Sequence, residues 1–370
     1  MERFQPAAQV AAATGEVPSG LLGGISANES PDSVFRRFIL KGDALEGTYQ
    51  QARAVETTLQ AFLSIAWSLS GVPGRKSLVW ATGSFPFYLD SFADVPGDKT
   101  LRTLYERAMK ALNDAQIAVY PLDMRGLLTD VSYSGSDSGS VPEAGCTTSL
   151  QESSLNTLNK FAAMTGGRAY YGNNDLVTAL KHAEEDSSSY YLLSYYLNTH
   201  NSKPGWRKLQ VLASRKDVEV RARAGFLLTN VSTNPEVTHK PDVEFALNSP
   251  FESTGIAITE QWQEVLPNGI KKKVGFALQV PATYLINEAD KNRFDVEFMA
   301  RAAVKGVIGD IVGQTIKGAV PASALAKLKA DGIFYRNSLD LAPGNYQVHF
   351  VVRDNLSGRI GSLVVPLTVN

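Results

Sequence analysis

The alternation of short apolar runs with amphipathic segments between residues 49 and 186 constrains the fold of this chain most strongly. The runs Ser77 to Thr82 and Ile117 to Leu122 are typical of strands buried on both faces of a parallel sheet. Helical periodicity and capping residues predict helices over about 49–69, 100–116, 150–165 and 174–186, and a further strand beginning at 168–171. This order predicts right-handed crossovers and therefore an α/β fold with a doubly wound, mostly parallel sheet.

The pattern changes after residue 186. Tyr190 to Leu197 and Arg207 to Ala213 predict an antiparallel hairpin at the sheet edge, followed by an edge strand that carries Arg221 and Arg223. Residues 230–241 are rich in Asn, Thr, Ser and Pro and are interpreted as a linker. Beyond it, alternating runs predict strands over 256–262, 274–280, 294–300, 333–339, 346–353 and 360–369, with β-structure over 306–318 and a short helix at 322–330. These elements predict an all-β, immunoglobulin-like sandwich.

Length and pattern together predict two folded domains, because 370 residues are enough for two hydrophobic cores. The predicted organisation is a loosely ordered leader over 1–45, an α/β domain over 46–229, the linker over 230–241 and the β-sandwich over 242–370.

Charge and cysteine content exclude several classes of partner and site. The 36 Lys and Arg residues nearly cancel the 37 Asp and Glu residues, so nucleic acid is not an expected partner. Cys146 is the single cysteine and can form neither an intrachain disulfide nor a thiolate metal cluster. No window approaches the roughly 18 consecutive apolar residues of a membrane span, so no membrane insertion is expected.

Four stretches in the N-terminal half carry a family resemblance. They are Gly74-Arg75-Lys76-Ser77-Leu78-Val79-Trp80 with Gly83 and Phe85-Pro86; Ala118-Val119-Tyr120-Pro121-Leu122-Asp123 with Arg125-Gly126-Leu127; Thr165-Gly166-Gly167-Arg168-Ala169; and Tyr190-Tyr191-Leu192-Leu193 leading through Arg207-Lys208 to Arg221-Ala222-Arg223-Ala224-Gly225-Phe226. In this order and spacing, residues from about 48 to 226 resemble the von Willebrand factor type A-related family that is abundant in Acidobacteria. The resemblance lacks the family's N-terminal part.

The resemblance implies a domain that binds other proteins, often through a divalent cation at the top of the sheet. The family holds that cation with an Asp-x-Ser-x-Ser loop, a Thr from a later loop and an Asp in a Thr-Asp-Gly-like turn. Here no Asp-x-Ser-x-Ser precedes Ser77, and the turn reads Thr82-Gly83-Ser84. We therefore expect no metal and no cofactor, because hard cations need carboxylate oxygens. Asp90 and Asp94 follow in a polar loop and are interpreted as solvated surface.

Localisation rests on the same resemblance. Residues 1–20 contain no apolar core of a signal peptide. Family members look mostly exported, and the absence of the family's first strand indicates a truncated or misassigned start. The expected location is periplasmic or secreted, with the cytoplasm as the alternative.

Enzymatic motifs are missing from the sequence, so we expect a non-enzymatic protein. It contains no Gly-x-Ser-x-Gly elbow, no phosphate-binding glycine loop and no His-Glu-x-x-His pair. His182, His200, His239 and His349 are interpreted as satisfied or solvated histidines. Tyr190, Tyr191, Tyr195, Tyr196 and Trp206 either form a binding surface or are ordinary strand residues.

Ligands of open α/β sheets meet the loops at the carboxyl ends of the strands. These loops are predicted at 83–94, 123–148 and 172–174. The predicted binding residues are Thr82, Gly83, Ser84, Phe85, Phe87, Tyr88, Asp123 and Arg125. We expect them to bind another protein of the bacterial cell envelope without metal. Two alternatives stay open: a structural scaffold in a larger envelope assembly, and a hydrolase with carboxylates around Asp90, Asp94 and Asp123.

Overall fold

The architecture combines helices with parallel and antiparallel strands. The computed structural model describes residues 50, 52–83, 99–125, 144–172, 176–194, 205–215, 217–218, 220–228, 235–285, 293–304 and 307–370. The chain divides into two compact units, Met1–Leu59 and Gln60–Asn370, and most of the described elements belong to the second. The domain boundaries predicted from the sequence remain predictions.

The first elements alternate between helix and strand, as the apolar periodicity predicts. Helix α1 covers residues 52–68 and is followed by strand β1 (Lys76–Thr82), helix α2 (Lys99–Asp114), strand β2 (Ile117–Asp123), helix α3 (Ala144–Thr165) and helix α4 (Leu176–Ser188). Helix α3 begins at Ala144, six residues before the predicted start at Leu150, and so takes up the end of the predicted loop. Asn174, the predicted cap of α4, lies outside the described residues.

Strands β1 and β2 run parallel, in register from Lys76 opposite Ile117 to Thr82 opposite Asp123. Every residue of β2 is buried, as expected for a strand covered on both faces. Beside it, Tyr170 forms an isolated parallel bridge with Leu122 where the sequence predicts the start of a strand. The structure thus shows helices together with one parallel strand pair in this region, whereas a doubly wound, mostly parallel sheet is more than these segments show.

An aromatic cluster packs β1 against three helices. The ring of Phe161 in α3 lies 5.7 Å from Phe62 of α1, 5.5 Å from Trp80 of β1 and 5.4 Å from Tyr105 of α2, and all three contacts are edge-to-face. Edge-to-face pairs are favoured because the positive ring edge meets the negative face. The cluster fixes the helices around the parallel pair.

The predicted hairpin between Tyr190–Leu197 and Arg207–Ala213 is wrong where the structure describes it. Strand β3 (Gly205–Lys208) pairs antiparallel with strand β4 (Gly225–Leu228), and residues 190–194 form no strand. Residues 195–197 lie outside the described part of the chain. The Tyr190 hydroxyl instead accepts a hydrogen bond from the Arg75 backbone N–H at 3.2 Å, which draws this segment towards the start of β1.

The predicted edge strand over Arg221 to Arg223 is also wrong, because these residues lie just before β4 and outside any strand. Arg221 forms an ion pair with Asp186 of α4 at 2.7 Å. Arg223 reaches Asn113 of α2 at 3.4 Å. The two arginines thus contact helices rather than guard a sheet edge.

Helix α5 (Pro235–Asn248) occupies the second half of the segment interpreted as a linker. Its residues Val243, Ala246 and Leu247 pack against Val351 and Ile360, and Trp67 packs on the same cluster. Pro and Asn content suggested a loop, but the burial of this apolar triplet favours a helix. Residues 230–234 lie outside the described chain.

The C-terminal region is antiparallel, as predicted. Strands β5 (Thr259–Asn268), β6 (Lys271–Val280) and β9 (Ile333–Leu341) form a three-stranded sheet in the order β5-β6-β9. Strands β7 (Arg293–Val304), β8 (Val307–Ala319), β10 (Gly344–Asp354) and β11 (Ile360–Val369) form a four-stranded sheet in the order β11-β10-β7-β8. A 3₁₀ turn (Ala282–Tyr284) follows β6, and helix α6 (Ala322–Asp331) follows β8.

The two sheets share one hydrophobic core. Across it, the Phe276 ring of β6 lies 5.1 Å from Phe350 of β10, and Phe298 of β7 stacks on Tyr335 of β9 at 4.9 Å. The alternation of buried and exposed residues along these strands is the pattern that predicted a sandwich. Among the described helices, none is long and apolar enough to cross a bilayer.

Candidate functional site

The candidate site lies where the parallel segments end at their carboxyl edge. The Met124 N–H donates to the Thr82 carbonyl at 2.9 Å, and the Asp123 N–H donates to the Tyr170 carbonyl at 2.8 Å. Thr82 and Asp123, two of the predicted binding residues, therefore meet at one edge, together with Tyr170. Gly83 follows, and a Cβ built on it has no neighbour within 4 Å among the described residues.

Asp123 and Arg125 form a compact ion pair at this edge. The Arg125 Nε donates to Oδ1 at 2.9 Å and its Nη2 donates to Oδ2 at 2.6 Å, while the Arg125 backbone N–H also reaches Oδ1 at 3.0 Å. The Asp123 side chain has 0% exposure, and that of Arg125 has 22%. The hydrogen bond to Asp123 raises the pKa of the Arg125 guanidinium. Both oxygens of the carboxylate are thus engaged by one fixed positive charge.

This pairing determines what Asp123 can do chemically. A divalent cation or a proton acceptor role would require its oxygens, and both already accept hydrogen bonds from Arg125. Within the described ranges, no group of three His, Cys, Asp or Glu side chains is placed to hold a metal. Asp90 and Asp94, the other carboxylates of the predicted hydrolase alternative, lie outside those ranges.

The turn after α3 positions the segment that contains Tyr170 beside β2. Thr165 accepts a hydrogen bond from the Val119 N–H at 2.9 Å and donates to the Phe161 carbonyl at 2.8 Å, which ties the end of the helix to β2. Gly166 has a positive φ of 82°, and a Cβ on Gly167 would lie 2.0 Å from the Val119 carbonyl oxygen. The two glycines let the chain pass directly beside β2 and deliver Tyr170 to its bridge.

A cavity of about 600 Å³ opens beside Tyr170, between α3 and α4. Its polar lining includes Asn159, Arg168, Tyr170 and His182. The Tyr170 hydroxyl and the His182 Nδ1 are buried atoms without a hydrogen-bond partner in the described structure, and their rings stack at 6.1 Å. Burial raises the pKa of the Tyr170 hydroxyl. Unpaired buried polar atoms favour a site that takes polar groups from outside.

Sequence reasoning identified part of this site. Thr82 and Asp123 lie together, and Gly83 and Arg125 are adjacent to them in the chain. Ser84, Phe85, Phe87 and Tyr88 lie outside the described residues. The sequence did not predict the cavity, although it predicted a strand at 168–171 and a binding loop directly after it. His182, interpreted as satisfied or solvated, instead has a buried Nδ1 without a partner in the described chain.

The aromatic cluster considered from sequence is partly visible. Tyr191 is 95% exposed and Trp206 is 38% exposed, while the Tyr190 hydroxyl contacts Arg75. Tyr195 and Tyr196 lie outside the described residues. Tyr190 and Tyr191 lie outside any strand, so the interpretation as ordinary strand residues applies here only to Trp206, which lies in β3.

Comparisons with known proteins do not identify a family. No protein-family model matches the chain, and no curated protein matches it. Among solved structures, a β-glucosidase from Kluyveromyces marxianus in complex with glucose aligns with 8% identity and a TM-score of 0.15. The alignment covers 83% of this chain and 33% of the β-glucosidase. Similarity at this level supports no argument about fold or activity.

Proposed function

We propose that this chain is a non-enzymatic protein-binding module of the bacterial cell envelope, periplasmic or secreted, which contacts its partner through the carboxyl edge of β1 and β2 without a metal. One observation supports the proposal most directly: Asp123, the carboxylate at this edge, is fully buried and paired through both oxygens with Arg125. Among the described residues, this edge therefore offers backbone and apolar groups rather than a free carboxylate.

Within this proposal, residues 46–229 form an incomplete domain similar to von Willebrand factor type A. The parallel pairing of β1 with β2, the bridge at Tyr170 and the flanking helices support it. Residues 242–370 form an immunoglobulin-like sandwich that acts as a spacer or as a second contact surface. The strand orders β5-β6-β9 and β11-β10-β7-β8 support that assignment.

The edge offers an apolar contact that can be tested. Met124 follows the buried Asp123 and is 49% exposed, so it is available to a partner without being part of the core. Replacing it with aspartate places a charge where a partner would need to exclude water. We expect Met124→Asp to reduce capture of envelope proteins in a crosslinking pull-down by at least about tenfold, the loss typical of a hot-spot side chain.

Three comparisons make this pull-down decisive. Leu212→Asp places the same charge on an 81% exposed side chain that belongs to neither β1 nor β2 nor the residues that follow them, and it should leave capture unchanged. Removing divalent cations with EDTA should also leave capture unchanged. Capture that persists in Met124→Asp argues against this edge. Capture that EDTA abolishes argues against a metal-free site. Recovery of copies of this chain alone supports the scaffold alternative.

A further inference from the structure

The tip of the β5–β6 hairpin, residues 265–273, combines exposed apolar side chains with a run of lysines. Ile270 is 92% exposed, and Val265 and Leu266 are 48% and 47% exposed. Single exposed apolar residues are ordinary on protein surfaces. Here three of them lie on one hairpin, and Ile270 directly precedes Lys271, Lys272 and Lys273.

The backbone of the turn holds these residues in a fixed register. Asn268 pairs with Lys271, Pro267 with Lys272 and Leu266 with Lys273. Gly269 has a φ of 64°, a left-handed conformation that suits glycine in a tight hairpin. Leu266 and Pro267 therefore lie opposite lysines across a narrow tip that extends beyond the buried Val274.

Charge on the tip is largely unneutralised. Asp340 of β9 lies opposite Lys273 in the register and accepts a hydrogen bond from Asn268 at 2.9 Å. No ion pair joins Lys271, Lys272 or Lys273 to a carboxylate of the described chain. Glu264 is the other nearby acidic residue and lies on the opposite strand, before the apolar pair. The far end of the tip is accordingly positive, although the whole chain has a net charge of −1.

We propose that this hairpin tip docks the protein on an anionic lipid surface, with Lys271 and Lys272 against the headgroups and Leu266 and Ile270 in the interfacial region. A purely acidic protein segment would meet the lysines equally well, but it would leave the 92% exposed Ile270 side chain in water. Interfacial binding combines apolar burial with attraction to anionic lipid, and the tip presents both. The docking is peripheral and does not depend on the protein-binding edge.

Co-sedimentation of the full chain with vesicles tests the proposal. The vesicles contain phosphatidylcholine alone or phosphatidylcholine and phosphatidylglycerol in equal parts. We expect binding only to the anionic vesicles, weakening as salt screens the lysines. Because each lysine near such a surface strengthens binding by about fivefold, Lys271→Gln/Lys272→Gln should weaken it by roughly 25-fold.

Matched variants separate this tip from general surface properties. Lys327→Gln/Lys329→Gln removes two exposed charges from α6 and should leave most of the binding intact. Ile270→Ser should weaken binding at constant charge, whereas Leu212→Ser should not. Three results would each overturn the proposal. The first is an equal loss of binding for the tip and control variants, and the second is equal binding to both vesicle types. The third is retention of the chain on polyglutamate with no binding to vesicles.

An environment-sensitive dye reports insertion of the apex directly. The dye is attached at Ile270→Cys or, for comparison, at Leu212→Cys, in a Cys146→Ser background that leaves one thiol. Anionic vesicles should shift the emission to the blue only for the label at position 270. Unchanged emission there, with co-sedimentation intact, would show that the tip is not the contact.

Discussion

Asp123 illustrates how a single neighbouring residue decides the chemistry of a carboxylate. The sequence placed it at the end of a buried strand, where a free aspartate would suit a cation or an acid–base role. Arg125, two residues later, binds both of its oxygens. A fully buried carboxylate is tolerated here because the Arg125 guanidinium and the Arg125 backbone N–H together satisfy its hydrogen bonds.

His349 gives a prediction about pH at the residue scale. Burial and the nearby Arg301 guanidinium lower the pKa of His349 below its ordinary value. The unfolded chain therefore binds a proton more readily, so the free energy of unfolding should fall as pH falls through about 6.5, the unfolded-state pKa. The measurement is urea unfolding between pH 5 and 7.5.

The comparison protein is His349→Gln, which should lose that part of the pH dependence. Burial raises the pKa of Glu297, so this carboxyl binds a proton more readily in the folded chain. Its effect on the free energy of unfolding therefore has the opposite sign to that of His349 and occurs at lower pH. Its contribution cancels between two proteins that both retain it. Identical slopes for the wild type and His349→Gln would contradict the assignment.

The turn after α3 is the element on which the candidate site depends. A Cβ on Gly167 would lie 2.0 Å from the Val119 carbonyl oxygen, which is part of β2 and cannot move without breaking the parallel ladder. We expect Gly167→Ala to destabilise the fold by more than about 2 kcal/mol, as overpacking against fixed backbone does. Thermal unfolding followed by circular dichroism measures the effect.

Gly83→Ala is the matched control, because a Cβ at Gly83 meets no atom of the described part of the chain within 4 Å. It should change the melting temperature little. A melting temperature for Gly167→Ala within error of that control would show that β2 and the turn are not in this contact.

At the scale of the whole molecule, residues 60–370 form one compact unit that includes both the parallel pair and the two C-terminal antiparallel sheets. Asp242 of α5 connects them, because it pairs with Arg107 of α2 and with Arg353 of β10 at 3.2 Å. Arg353 continues to Asn355 at 2.6 Å. The Trp67 and Phe245 rings, 5.5 Å apart, and the Thr254 N–H bonded to the Trp67 carbonyl at 3.0 Å reinforce the connection.

This connection predicts cooperative unfolding. Asp242→Ala leaves two largely buried arginines without their shared carboxylate and should cost about 3 to 5 kcal/mol. Urea unfolding monitored by tryptophan fluorescence and by far-ultraviolet circular dichroism should show one coincident transition in the wild type.

Asp114→Ala serves as the control, because it removes an exposed pair with Lys110 within α2 and should cost under about 0.5 kcal/mol. Similar losses for the two variants would contradict a connecting role for Asp242. Two separate transitions in the wild type would show that the regions unfold independently.

The sequence by itself determined the elements that local periodicity encodes. The full burial of β2, the buried apolar faces of helices α1 and α2 and the alternating C-terminal strands all follow from residue spacing, because burial selects side chains at fixed intervals. It also brought Thr82 and Asp123 to one edge, since parallel strands end together.

Only the tertiary structure decided which distant segments pair. The partner of β3 is β4 rather than residues 190–194, and the segment interpreted as a linker contains the first half of a helix that docks on the four-stranded sheet. The cavity at Tyr170 and His182 and the pairing of Asp242 with two arginines depend on contacts between separate elements. Such contacts leave no periodic mark in a single sequence, because each residue satisfies a local pattern equally well with or without its distant neighbour.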